Sequence, residues 1–195
     1  METTLRTFIA IPLPEALLAE LAQAQRQLEQ RVPPRSVRWV RPEGIHLTLK
    51  FLGDTRQEKL EPICAALTAV ASTVPRSSFT VTGAGCFPNL RRPRVIWVGI
   101  TEPAGWLVDL QDRVEAALAP LGYPPEGRRF TPHLTLGRVQ RHVGTGDLAR
   151  IGEAVEAAKV GLLGAVIADR FALIRSVLRP TGAEYNILTE FKLGS

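Results

Sequence analysis

Apolar and polar positions along the chain follow a recurring order of strand and then helix. Residues Thr7 to Ile11 are apolar and β-prone, and Pro12 and Pro14 close the run, which predicts a strand. Pro14-Glu15 opens a helix with Leu17, Leu18, Leu21, Leu28 and Val32 at roughly helical spacing, and Pro33-Pro34 stops it. An extended piece over Val37 to Val40 and a Pro-Glu-Gly turn lead to a strand over His46 to Leu52, closed by Gly53-Asp54. A helix from about Gln57 to Ser72 ends before Pro75. The same order returns in the second half. Strands are expected at Ser78–Thr82 and Arg94–Ile100, and then a helix from Pro103 to about Leu121. A Gly/Pro loop runs through Gly127, followed by a strand over His133–Val139 and a helix from Asp147 to Lys159. Strands at about Val166–Leu178 and Tyr185–Lys192 finish the chain, with Arg170–Arg179 alternating well enough to be one long strand.

The repetition extends to the letters. His-Leu-Thr-Leu stands at 46–49 and again at 133–136, and each copy is followed by a glycine, a loop and a helix. A strand–helix unit present twice and building two facing lobes would produce this pattern. The expectation is a single domain over residues 1–195 of α+β class. It would be a bilobal, pseudo-two-fold duplication, with two antiparallel β-sheets facing a central cleft and helices on the outer faces.

Successive strand side chains point to opposite faces. His46 and Thr48 therefore share one face with Leu47 and Leu49 on the other, and His133 and Thr135 oppose Leu134 and Leu136 in the same way. If the two strands line opposite walls of a cleft, two imidazoles and two hydroxyls converge. That set suits phosphodiester cleavage: a neutral imidazole takes a proton from the nucleophile, and an imidazolium gives one to the leaving oxygen. The threonine hydroxyls donate to the non-bridging oxygens as charge builds there. A lone His-x-Thr would more often be a half-buried histidine than a catalyst, but here two of the three histidines sit in identical tetrapeptides. His142, after Arg141 in a loop, reads as a surface residue.

Composition changes this picture little. The chain has 195 residues, 45% hydrophobic and 22% charged, with a net charge of +5 and a pI of about 9.8, which suits a polyanionic partner. Cys64 and Cys86 make neither a disulfide framework nor a metal-ligand spacing, and free thiols of a reducing compartment are expected. The first residues lack the basic and long apolar parts of a secretion signal, and no run approaches the ~18 apolar residues of a membrane span. The expected location is the cytoplasm, with no cofactor, no metal and no membrane partner.

The motifs resemble those of the two-histidine (2H) phosphoesterase superfamily, in particular the RNA 2',3'-cyclic phosphodiesterases also described as 2'-5' RNA ligases. The matching stretches are Arg6 to Pro14, Arg38-Trp-Val40, His46 to Gly53, Arg92 to Gly99 and Phe130 to Arg138. The last 50 or so residues are similar only in general character. The resemblance implies a hydrolase acting on RNA ends or nucleotides with a 2',3'-cyclic phosphate. The lack of a carboxylate–histidine cluster at ligand spacing makes it metal-independent, and with nothing in the sequence suggesting an obligate partner a monomer is expected. By the same resemblance His46 would be the proton donor, His133 the acceptor, and the product a 2'-phosphate. Reversible 2'-5' ligation is a close relative of this activity, and an RNA-binding module with little catalysis is the alternative.

Supporting residues are expected around this pair. Lys50 has the parity of His46 and Thr48, so it either adds charge near the phosphate or lies in solvent. Arg138 resembles the family's phosphate or ribose contact. Strict alternation points it away from His133, unless a bulge at Gly137 turns it back. Arg128 and Arg129 stand at the cleft mouth or are solvated loop charges. Phe8, Trp39 and Phe51 stack a base or belong to the core, and Pro132 stiffens the approach to His133.

Overall fold

The computed structural model describes residues 4–102, 105–179 and 182–194. In chain order the elements are β1 (Thr4–Ile11), α1 (Glu15–Glu29), β2 (Val37–Trp39), β3 (Leu47–Arg56), α2 (Leu60–Thr73), β4 (Ser77–Phe87) and β5 (Val95–Thr101). They continue with α3 (Trp106–Leu118), β6 (His133–Val139), α4 (Thr145–Ala157), β7 (Gly164–Ala168), β8 (Arg170–Arg179) and β9 (Gly182–Lys192). One antiparallel sheet has the order β3-β1-β8-β9, and the other β2-β6-β5-β4-β7. The α+β class and the two antiparallel sheets are as expected.

Each sheet is backed by one helix that follows a strand of the other sheet and one that follows a strand of its own. Helix α1 leaves β1 of the first sheet yet packs on the second, where Gln25 Nε2 donates to the carbonyls of Val40 and Leu136 at 2.7 and 2.8 Å. Helix α3 leaves β5 of the second sheet and packs on β3 of the first. Helices α2 and α4 lie against β9 and β4 respectively. In α1 the buried residues Leu17, Leu21, Ala24, Gln25 and Leu28 form the single stripe that the helical spacing requires.

Four boundaries differ from the sequence expectation. The run Val166–Leu178 is two strands, because the chain crosses between sheets at Asp169. Strand β3 continues past Gly53-Asp54 to Arg56; Gly53 adopts φ +71° beside a bulge, a conformation open to glycine, instead of ending the strand. Strand β4 likewise runs on beyond Thr82 to Phe87. The expected helix start at Pro103 lies outside the described residues, and the observed helix begins at Trp106.

The motif leucines anchor both strands: Leu47, Leu134 and Leu136 are fully buried and Leu49 nearly so. Truncating any of them to alanine would cost about 2–5 kcal/mol. Cys64 and Cys86 are free thiols, and burial pushes the Cys86 thiol up to about 11. Among the described residues, no helix is long and apolar enough to cross a membrane.

Candidate active site

Each motif strand carries an irregularity at the same place. In β3 the partners step from Ala10↔Thr48 to Ile9↔Lys50, leaving Leu49 as an extra residue. In β6 they step from Trp97↔Thr135 to Ile96↔Gly137, leaving Leu136 as the extra one. A bulge inverts the facing of every residue after it. Before each bulge, the histidine and threonine are half-buried on the inner face, as alternation predicts. After it, the two strands diverge in chemistry.

On β3 the inversion corrects the expectation for Lys50. It points to the helix side, 2% exposed, where its ammonium is ion-paired with Glu115 of α3 and donates to the Pro124 carbonyl at 2.9 Å. Lys50 is therefore remote from any phosphate in the cleft. Gln111 completes the buried group by donating to Glu115 at 2.9 Å. On β6 the inversion brings Arg138 back to the inner face. Close approach of β2 requires glycine at 137, since a Cβ there would lie 2.6 Å from Val37 Cγ1. The pairing positions Lys50 and Gly137 correspond, as do Phe51 and Arg138. One wall thus presents a ring where the other presents a guanidinium.

The two imidazoles are held alike. The His46 ring stacks on Phe8 at 4.5 Å and 28°, meets Tyr185 edge-on at 5.1 Å, and hydrogen-bonds to the Gly44 backbone. Burial lowers its pKa to about 4, against a smaller opposing effect of the Gly44 bond. His133 Nδ1 lies 2.7 Å from the Thr131 carbonyl oxygen, and its ring meets Phe87 at 4.8 Å and Trp97 at 6.5 Å. Its pKa is also lowered, first by burial and then by the charges of Arg138 and Arg128, against the Thr131 bond. With Nδ1–H donating to Thr131, the neutral His133 ring keeps Nε2 as an acceptor. In both cases the anchor is the residue two before the histidine.

Tyr185 of β9 links the walls. Its ring touches His46 and Phe8, and its phenol feels the charges of Arg138 and Arg38 from the second sheet and of Arg6 from the first. Burial still dominates and raises its pKa. Arg138 in turn acts on His133. The neighbours His46, Tyr185, Arg138 and His133 lead from one sheet to the other, and β3 and β6 are themselves in contact.

The remaining expected residues divide. Phe51 is exposed at 56%, on the inner face across from Phe8. Phe8 is 2% exposed and occupied by His46, Phe51 and Tyr185, so it cannot stack a base. Trp39 pairs with Gly137 after the bulge and belongs to the α1 side. Arg129 is exposed; it is its neighbour Arg128, paired with Glu126, whose charge reaches His133. His142 is exposed, as expected. Tyr185 and Phe87 carried no motif and were legible only in space. Among the described residues, no three His, Cys, Asp or Glu side chains gather as a metal site.

Two facing sheets with one His-x-Thr strand in each describe a two-histidine phosphoesterase. The family model for LigT-like phosphoesterases matches this chain twice in succession, at residues 11–97 and 98–185, and the chain belongs to that family. The tandem match coincides with the internal duplication. The RNA 2',3'-cyclic phosphodiesterase of Methanothermobacter thermautotrophicus is 32% identical over 188 residues, covering 96% of this chain and 98% of that one. The protein of the same name from Thermotoga maritima is 33% identical over 95% of this chain and 94% of its own. A crystal structure from Thermus thermophilus superposes with a TM-score of 0.79 at 30% identity, covering 97% and 99% of the two chains. That of E. coli LigT complexed with 3'-AMP gives 0.77 at 25% identity, covering 99% and 100%.

Proposed function

We propose that this enzyme opens the 2',3'-cyclic phosphate of RNA-type ends to a 2'-phosphate, without a metal, using His46 and His133 as an acid–base pair. The observation that carries the reading is the matched presentation of two imidazoles, each tethered to backbone two residues upstream and each beside a threonine on the inner face. The names of the relatives from M. thermautotrophicus and T. maritima support the substrate class.

In this mechanism His133 Nε2 accepts a proton from water as the water oxygen bonds to phosphorus. The bond from phosphorus to the 3'-oxygen breaks, and His46 supplies the proton that oxygen needs. Thr48 and Thr135 donate to the non-bridging oxygens, where the negative charge grows. The low pKa of His46 means that the ring is neutral in the empty cleft at pH 7. A bound phosphate anion favours the charged imidazole, so the substrate itself raises the proton affinity of its general acid. His133, lowered first by burial and further by the charges of Arg138 and Arg128, suits the acceptor role. The same pair acting in the same direction, with a 5'-hydroxyl in place of water, would join ends through a 2'-5' bond as the 3'-oxygen leaves, and the reverse step would reopen that bond to the cyclic phosphate.

Phe51 is the ring available for stacking a base, at the end of an inner-face row formed with Phe8, Ile174 and Ile187. Phe8 is assigned to holding the His46 ring. The chain is taken to work as one unit, since each sheet draws strands from both halves. The deciding experiment is incubation with an oligonucleotide ending in a 2',3'-cyclic phosphate, with the product assigned by position. A 2'-phosphate is expected; a 3'-phosphate would reverse the leaving group, and an unaltered end would leave only a nucleic-acid-binding role.

A further inference from the structure

The cleft holds more positive charge than one cyclic phosphate needs. Arg38 of β2 and Arg138 of β6 are direct cross-strand partners, so two guanidinium groups leave the same face side by side. Like charges placed directly opposite in a sheet are destabilising when nothing neutralises them. Arg6 of β1 has the parity of Phe8, whose ring lies 5.4 Å from Tyr185, and so faces the same space from the first sheet. All three arginines act on the Tyr185 phenol, and no carboxylate does. Asp54 stands opposite Arg6 in register without forming an ion pair with it. Elsewhere Arg56, Arg113, Arg128, Arg150, Arg170 and Arg179 each find a carboxylate, while others such as Arg76, Arg94 and Arg175 have none among the described residues. What sets the three apart is therefore their convergence on one phenol. The three around Tyr185 have no carboxylate partner among the described residues, and they share one space.

We propose that Arg6, Arg38 and Arg138, gathered around the Tyr185 phenol, form a second anion subsite that takes the phosphate on the 5' side of the nucleotide being processed. The subsite rests on the proposed function for its orientation. It adjoins the reacting centre, because Tyr185 also touches the His46 ring at 5.1 Å, as the neighbouring phosphate of one nucleotide would. Planar guanidinium forks and a phenol O–H are donors suited to phosphate oxygens. The preferred substrate is then an oligonucleotide end, or a nucleotide bearing a 5'-phosphate, over a nucleoside cyclic phosphate with a single anionic group.

Two measurements on the full chain test this separately from the chemistry. Calorimetric titration compares adenosine 2'-phosphate with adenosine 2',5'-bisphosphate, on the wild type and on the R6Q/R38Q variant, with circular dichroism as the control for folding. The wild type should bind the bisphosphate at least about 10-fold more tightly, the value of one charge-assisted contact or more, and the variant should reduce that ratio below about threefold. Equal affinities in the wild type, or a ratio that survives in R6Q/R38Q, would overturn the subsite. Turnover is then compared between adenosine 2',3'-cyclic phosphate, its 5'-phosphorylated form and a dinucleotide ending in the cyclic group. A lower KM for the last two supports the subsite, and a lower KM for the 5'-phosphorylated form alone assigns it to a terminal phosphate rather than a diester. If none of the three is opened while the bisphosphate preference holds, the subsite stands and the proposed hydrolysis fails.

Discussion

Replacing Lys50 by methionine should destabilise the fold far more than an ordinary lysine substitution. Lys50 and Glu115 are 2% and 6% exposed, and each is the other's ion-pair partner. Methionine fills much of the lysine volume, so little packing is lost; what remains is a buried carboxylate supported only by Gln111, and a Pro124 carbonyl without its donor. Removing one member of a buried pair costs about 3–5 kcal/mol. For a chain of this size, each kcal/mol shifts the melting temperature by about 2–4 °C, which gives a fall of roughly 6–20 °C. The K50M/E115M double variant removes the stranded charge and should recover at least half of that loss, because paired apolar replacement of buried ions is often neutral. Urea unfolding and thermal melting, both followed by far-ultraviolet circular dichroism, provide the measurement. The variant has a kinetic consequence as well. Pro124 begins the loop that carries Arg128 and Thr131 to His133, so K50M should lower kcat even where the protein is fully folded. A K50M protein melting within about 2 °C of wild type would refute the buried-pair reading and return Lys50 to solvent.

Other outcomes follow from the histidines. Activity requires one charged and one neutral imidazole, and in the free enzyme both pKa values are depressed, that of His46 to about 4. The profile of kcat/KM should therefore be bell-shaped, with its maximum below pH 6.5. The kcat profile should lie at higher pH, because the bound anion favours protonation; a kcat/KM that climbs to a plateau above pH 7 would contradict this. His46 also takes up a proton less readily folded than unfolded. The stability it contributes is complete above the ordinary histidine value and is lost as the pH falls from about 6.5 toward 4, a trend that H46Q should flatten in urea titrations. H46A and H133A should each reduce cyclic-phosphate opening by about 100-fold or more with the fold intact, and near-normal turnover in either would remove that residue from the mechanism. Activity should persist in excess EDTA; loss restored by added zinc or magnesium would show that a metal takes part.

The sequence alone determined the duplication and the α+β class, and it singled out the two histidines as candidates. These features are local or periodic: alternation sets which face a residue takes, and an exact repeat of four letters is visible without coordinates. The tandem family match at 11–97 and 98–185 reflects the same repeat. Only the tertiary structure decided where the residues beyond each motif point. Bulges at Leu49 and Leu136 depend on how each strand pairs with its neighbour, and they sent Lys50 to a helix and Arg138 to the cleft. Tyr185 lies more than a hundred residues from His46 and reaches it because β9 packs against the Pro42–Gly44 turn that leads into His46. Likewise, the low proton affinity of His46 comes from the rings of Phe8 and Tyr185 that enclose it. Desolvation is a property of surroundings, and the surroundings of a side chain are assembled from distant parts of the chain.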